Sequence, residues 1–328
     1  MNIYGIAEKA GVSIATVSRV VNQNGPVSPA TARKVLAVIE EMGYRPNIFA
    51  KGLTTNSIRL IGVLTTDISD LYFATAIHMV EQNAKKHGYD ILLSCTEPTV
   101  EDKKRHIDLL AEKRVDGIIL IGSIFREAKN NAHIEHAAAR MPVVTLNSLV
   151  EGRGIHSVYC DDGAGTAEAV GHLAAGGRRR IAYAYDVATF SGMSKLAGYR
   201  RAMEQAGLAP QEVQCKPGIA GGMEAAQAIL AQNPGVDGIL CAEDQLAVGV
   251  LQELIGRGRD VPGQVAVVGY NDSLLARCTN PELASVDGKV RSMSAYAFDT
   301  MLKAIETGEA PQKTVVTPEL VIRRSAML

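Results

Sequence analysis

From Ile58 onward, eight short runs rich in Val, Ile and Leu punctuate the chain: IRLIGVLT, YDILLSC, DGIILIG, PVVTLN, HSVYC, RRIAYAY, DGILCA and VAVVGY. Between them lie stretches with helical spacing of apolar residues, such as FATAIHMVEQNAKKHG and TVEDKKRHIDLLAEKR. This alternation constrains the fold more than any other feature. Strands separated by helical segments of roughly 10–15 residues signal βαβ units and parallel sheets. Eight such strands exceed what one sheet comfortably holds, so the spacing predicts two doubly wound subdomains. Ligands of such sheets bind in the crevice outside the carboxyl ends of the strands.

Composition narrows the class. With 328 residues, 47 % apolar and a net charge of −1, the chain has the make-up of a multi-domain globular protein and not of a disordered one. Its longest apolar runs, such as Asp116–Phe125, are strand-sized, far short of the roughly 20 residues a membrane helix needs. The opening MNIYGIAEKAGVS has no apolar core of a secretory signal. Cys95, Cys160, Cys215, Cys241 and Cys278 form no CxxC pair and read as small buried hydrophobes, giving neither a disulfide framework nor a zinc site. The expectation is a cytoplasmic protein with no membrane association and no cofactor.

Charge is unevenly spread. Residues 1–59 carry Lys9, Arg19, Arg33, Lys34, Arg45, Lys51 and Arg59 against only Glu8, Glu40 and Glu41. A basic head on a mildly acidic body suggests that the head alone meets a polyanion. In IYGIAEKA, Ile3, Ile6, Ala7 and Ala10 fall at helical spacing, and Gly11 stops the helix. Ser13 caps a second helix, IATVSRVVN, with Val17, Val20 and Val21 turned inward. Ser28-Pro29 opens a third that ends at Gly43, with an apolar stripe of Val35, Leu36, Ile39 and Met42. This is the pattern of a helix-turn-helix with a supporting helix, whose second helix enters the DNA major groove. Its outward residues are Ile14, Ala15, Thr16, Ser18, Arg19 and Asn22. Arg19 can donate two bonds to a guanine edge, worth about 1–3 kcal/mol of discrimination. Thr16, Ser18 and Asn22 suit phosphate oxygens, which position without specifying. The bland alternative for Arg19 is a solvated helix charge.

The run AGVSIATVSRVVN, followed by GYRPNIFAKGL, resembles the N-terminal segment of the LacI/GalR family of bacterial transcription regulators, and the resemblance extends over nearly the whole chain. It implies a helix-turn-helix head (1–46), a hinge helix and linker (47–57), and a two-subdomain core (58–328) similar to periplasmic sugar-binding proteins. In the core, three crossovers would divide subdomain one (60–158 plus 289–319) from subdomain two (159–288 plus 320–328). The implied partners are double-stranded, pseudo-palindromic operator DNA, a second copy of the chain, and a small-molecule effector or protein co-regulator. The candidate DNA-contacting set adds Tyr4, Ser13, Tyr44, Arg45, Asn47, Lys51 and Leu53 to the outward face of the second helix. Asn47 can cap a helix of Ile48–Leu53, but six residues are too few to hold alone and Gly52 costs about another 1 kcal/mol. Such a hinge orders when two copies meet on DNA. By position, Leu53 would be the family's minor-groove wedge, which suggests a central CpG-type step.

Strand ends nominate Asp67, Ser69, Tyr72, Phe73, Asn147, Glu243, Asn271 and Asp272 for the crevice, with Lys195 from SKLAGYRRAM. Aromatic rings beside a few polar groups make a plausible small-molecule site. Sugar- and purine-binding members of the family usually carry Arg where Lys195 stands, Asp where Asn271 stands, and often Asp where Asn147 stands. Lys lacks the planar fork of Arg, so three altered anchors argue against a standard sugar effector. The alternative for these positions is loop polarity without ligand contact. In one branch of the family a phosphorylated carrier protein docks on basic side chains of the helix matching Arg291–Ile305. Here Asp299 falls where an Arg is expected, and an acid repels a phosphate.

Other motifs carry less. GAGTAEAVG (163–171) imitates a dinucleotide fingerprint, but Glu168 occupies the third glycine position. The segment reads as a helix start capped by Asp161 or Asp162. His133 and His136 read as a solvated helix face rather than metal ligands. Without GxSxG, P-loop or HExxH motifs, no nucleophile or general base suggests an enzyme. The competing class is a small-molecule (sugar-type) binding protein with no DNA function, against which the basic head argues.

Overall fold

The computed structural model describes residues 3–22, 25–43 and 57–327. Two compact units, Met1–Ile58 and Arg59–Leu328, divide the chain.

The first unit contains α1 (Ile3–Ala10), α2 (Ile14–Asn22) and α3 (Pro29–Glu41). Gly11 adopts φ +60°, the left-handed stop that a side chain would strain. Ser13 Oγ then accepts a bond from the Thr16 amide at 3.2 Å. Ser28 repeats the device for α3, accepting from the Thr31 amide at 3.2 Å with Pro29 in the first turn. Ile6, Ala10, Val17 and Val35 are fully buried where the three helices meet, with Val20, Val21, Ile39 and Met42 packed around them. One expectation fails. Leu36 is 52 % exposed, and Val38 is the buried residue instead. Val35, Val38, Ile39 and Met42 follow the i, i+3, i+4, i+7 stripe, whereas Leu36 sits one residue, about 100°, off it.

The second unit has two six-stranded sheets. The first has strand order β11-β5-β4-β3-β1-β2, all parallel. Its strands are β1 (Leu60–Thr65), β2 (Asp90–Cys95), β3 (Gly117–Ile121), β4 (Val143–Leu146), β5 (Ile155–Cys160) and β11 (Lys313–Val316). The second has order β12-β10-β9-β8-β6-β7, parallel except for β12 against β10. It comprises β6 (Ile181–Tyr185), β7 (Gln211–Gln214), β8 (Gly238–Cys241), β9 (Ala266–Tyr270), β10 (Ala284–Asp287) and β12 (Glu319–Val321). Central strands such as β3, β4, β8 and β9 are buried along their whole length, as strands covered on both faces must be. The helices are α4 (Leu71–Lys86), α5 (Val100–Glu112), α6 (Ala132–Ala138), α7 (Asp162–Ala175), α8 (Phe190–Gln205), α9 (Gly218–Gln232), α10 (Asp244–Gly256), α11 (Leu274–Cys278) and α12 (Val290–Thr307). In α7 and α8, a Cβ on Gly198 would collide with the Gly163 backbone, so this helix pair packs at a distance only glycine permits.

The chain passes between the sheets after β5, after β10 and after β11. The expected boundaries shift slightly. Tyr159 and Cys160 belong to the first sheet, opposite Val315 and Val316, and Glu319 pairs with Asp287 in the second. Asp161 caps α7 by accepting from the Ala164 amide at 3.1 Å. His136 is exposed as expected, but His133 is buried; burial lowers its pKa and leaves Nε2 without a partner. Cys160 and Cys241 are buried and Cys215 partly so, whereas Cys95 and Cys278 are exposed, against the expectation that all five are interior. Among the described residues no helix is long and apolar enough to cross a membrane, and no three His, Cys, Asp or Glu converge as metal ligands.

Candidate functional site

The head offers one face of α2. Ile14 is 42 % exposed, and Ala15 and Arg19 are exposed beside it, while Thr16 and Ser18 are half-buried. Thr16 Oγ1 and Ser13 Oγ share a hydrogen bond of 2.9 Å, so both hydroxyls already serve the helix start. Tyr4 on α1 is also exposed. Lys9 pairs with Glu41 at 2.7 Å on the surface. Tyr44, Arg45, Asn47, Lys51 and Leu53, with the whole hinge, lie outside the described residues, as does the side chain of Asn22.

The core holds a cavity of about 240 Å³ at the carboxyl ends of strands from both sheets. Asp67 follows β1, Gly122 and Ser123 follow β3, and Asn147 follows β4. Facing them, Asp186 follows β6, Glu243 follows β8 and Asn271 follows β9. Tyr72 and Phe73 come from the first turn of α4, their rings edge-to-face at 5.7 Å. Seven of the nine nominated residues thus come together: Asp67, Tyr72, Phe73, Asn147, Lys195, Glu243 and Asn271. Ser69 and Asp272 do not. Ser69 donates from its amide and hydroxyl to Asp67 Oδ1, at 2.7 and 2.6 Å, and this lowers the Asp67 pKa. Asp272 turns to Arg323 at 2.6 Å and to Arg277 at 3.7 Å.

Sequence reasoning missed Asp70, Asp186, Thr189 and Ser191, which also line the cavity. Asp70 caps α4, accepting from the Tyr72 and Phe73 amides at 2.8 and 3.3 Å. Its other oxygen accepts from Gln245 Nε2 at 3.2 Å, which joins the two sides of the crevice. Ser123 Oγ donates to Thr189 Oγ1 at 2.8 Å, a second bond across it. Asp186 was findable, since it follows the strand in RRIAYAY just as Glu243 follows GILCA.

Behind the cavity lies a buried polar cluster. Lys195 Nζ donates to the Ala242 carbonyl at 2.9 Å and sits 3.8 Å from the centre of the Tyr270 ring. Tyr270 donates to Asp162 Oδ1 at 2.8 Å, and Ser191 donates to Asp162 Oδ2 at 2.6 Å. Burial raises the Asp162 pKa, opposed by the charge of Lys195. Burial also pushes Glu243 up to about 7. Asp244, bonded by Ser285 Oγ and the Ser273 amide at 2.6 Å each, rises to about 6 for the same reason. Asn147 and Asn271 both have positive φ, 63° and 96°. Asn and Asp accept such a backbone more readily than other side chains, and Asp272 beside Asn271 adopts it too, at φ 44°.

Comparison with known proteins places this architecture. Residues 2–47 match the model of bacterial regulatory proteins of the lacI family, and residues 170–326 match a periplasmic binding protein-like domain. A HTH-type transcriptional regulator of Lachnoclostridium phytofermentans is 38 % identical, over 99 % of both chains. The chain belongs to the LacI family. This LacI-family regulator is also 31 % identical to catabolite control protein A of Priestia megaterium, over 98 % of this chain and 97 % of that one. Among solved structures it resembles a lac repressor dimer bound to operator and the anti-inducer ONPF, with TM-score 0.92, 26 % identity and coverage of 100 % and 99 %.

Proposed function

We propose that this LacI-family regulator is a homodimeric repressor that reads a pseudo-palindromic operator with α2 of each head, and whose crevice takes a small molecule that changes its hold on DNA. The observation that carries the reading is the exposed face of α2, where Arg19, Ala15 and Ile14 project from a three-helix core set on its own buried Val17. A short helix with a guanidinium and small apolar side chains outward suits a major groove, where bidentate bonds and thymine methyl contacts distinguish base pairs. A two-fold dimer predicts a two-fold site.

The core supports the second half of the proposal. Its cavity lies between the strand ends of two sheets joined by three crossovers, so a ligand that touches both sides favours one relative arrangement of them. The Asp70–Gln245 and Ser123–Thr189 bonds already span that gap. The lac repressor and a cellobiose-bound CelR, which is 27 % identical over 99 % of both chains with a TM-score of 0.74, were solved with small molecules. On this reading, residues 1–46 read DNA, 47–57 link, and 58–328 sense.

The test is selection of bound duplexes from a randomised pool with the full chain. Enrichment of one two-fold-symmetric sequence is expected. A pool unchanged after several rounds would refute sequence-specific binding.

A further inference from the structure

The charge inside the crevice is lopsided. Asp67, Asp70, Asp186 and Glu243 face it, and Lys195 is the one cation among its described lining residues. That ammonium is spent on the Ala242 carbonyl and the Tyr270 ring, with the carboxylate of Asp162 behind it. Asp67 and Asp70 have local donors, and among the described residues the Asp186 carboxylate accepts only from its neighbouring Val187 amide at 2.7 Å. The Glu243 carboxyl has no hydrogen-bond or ion-pair partner among the described residues, although the residue is partly buried and caps α10 only through its backbone carbonyl, which accepts from the Ala247 amide at 3.1 Å. Two further polar atoms of the lining are buried and without a partner among the described residues: Asn147 Oδ1, which can only accept, and the Tyr72 hydroxyl. Buried polar atoms are rarely left unpaired unless something else satisfies them.

These facts select among ligand chemistries. A phosphorylated sugar or a carboxylate would meet four acids against one ammonium, itself already held by the Ala242 carbonyl and the Tyr270 ring. A neutral sugar could donate hydroxyls to these acceptors but would leave the carboxylates repelling one another. A protonated amine supplies donors and charge at once, and the lining includes the aromatic rings of Tyr72 and Phe73, a residue type that favours a cation. At about 240 Å³ the cavity is smaller than the usual ligand pocket of roughly 300–1,000 Å³, which favours a small ligand.

We propose that the crevice recognises a small protonated amine, of amino-sugar or short-diamine size, held between Glu243 and Asp186 with Asn147 accepting a further donor. The proposal rests on the reading of the crevice as a ligand site and names the class of its ligand. Glu243 faces Lys195 of α8, Asp186 after β6, Asp70 at the start of α4 and Asp244 beside it. Burial among these groups keeps it partly protonated near neutrality, and an entering cation would expel that proton.

Matched probes test this with the full chain: glucosamine against glucose, and 1,4-diaminobutane against 1,4-butanediol, by calorimetry and thermal shift. The amine of at least one pair is expected to bind tenfold or more tightly than its neutral partner. Glu243→Gln and, separately, Asp186→Asn should each remove most of that preference. Affinity for the diamine should rise from pH 6 to 8 as Glu243 loses its proton. Equal or tighter binding of the neutral members would overturn the charge class and leave the crevice as a ligand site. If neither member of either pair binds at millimolar concentration, the proposal falls. If neutral and anionic sugars also leave the melting temperature unmoved, the crevice reading falls with it.

Discussion

Val17 offers a quantitative test of the head. It is fully buried among α1, α2 and α3. Val17→Ala deletes two methyl-sized groups at about 0.8 kcal/mol each, and incomplete collapse of the cavity adds to this, for a total of about 2 kcal/mol. A unit this small has roughly 0.05–0.15 kcal/mol of stability per residue, so the loss is a large share of its total. Hydrogen exchange of the full chain resolves the two units. Amides of 3–43 that exchange by unfolding of the head should speed up about thirtyfold, while those of the second unit keep their protection. Leu36→Ala, on the exposed side of α3, should change the same amides less than about twofold. Equal effects of the two substitutions, or exchange in the head unmoved by Val17→Ala, would refute the packing described here.

Further expectations concern the core. In the unliganded chain, Glu243 at about 7 and Asp244 at about 6 are raised above their ordinary values, chiefly by burial. The folded state then holds protons that the unfolded state releases, so this contribution is fully present below about pH 4 and lost as pH rises through 6 to 7. Glu243→Gln should flatten the stability profile between pH 5 and 8; an unchanged slope in urea titrations would contradict the burial of that carboxyl. Asp162→Ala leaves the buried Tyr270 and Ser191 hydroxyls without their acceptor, and should cost about 2–4 kcal/mol. A loss below about 1 kcal/mol would show that the cluster is not closed as described. Ser28→Ala removes the cap of α3 and should cost about 1 kcal/mol, read by exchange of the first turn of that helix.

What the sequence reveals depends on how strongly each segment's burial is imposed by neighbours. The eight apolar runs are all strands; seven lie inside their sheets, where parallel strands need continuous apolar residues, and the eighth, β2, stands at a sheet edge with an apolar run only partly buried. The strands it hides are QEVQ, ASVD, KTVV and ELV. β7, β11 and β12 stand at sheet edges and alternate with polar residues, while β10 is interior but built of small ones. Leu36 was misplaced by counting hydrophobes and not their angle. In the crevice, the strand-end rule finds Asn147, Glu243 and Asn271 but carries Asp272 along with its neighbour. The fold turns that carboxylate toward Arg323, a residue from the chain's final segment that no local pattern connects to it. Asp70 is a helix cap whose second oxygen serves the crevice as well, a double role that the strand-end rule does not reach.

The most direct test of the account is equilibrium binding of the full chain to the selected duplex and to a scrambled one across a salt series. Specific binding should exceed non-specific binding by about 10³ or more at physiological salt. Arg19→Ala should reduce the specific complex by about 1–3 kcal/mol while leaving the salt-sensitive, non-specific binding in place. Equal affinity for the two duplexes, or an Arg19→Ala loss of the same size on both, would contradict the claim that α2 reads sequence.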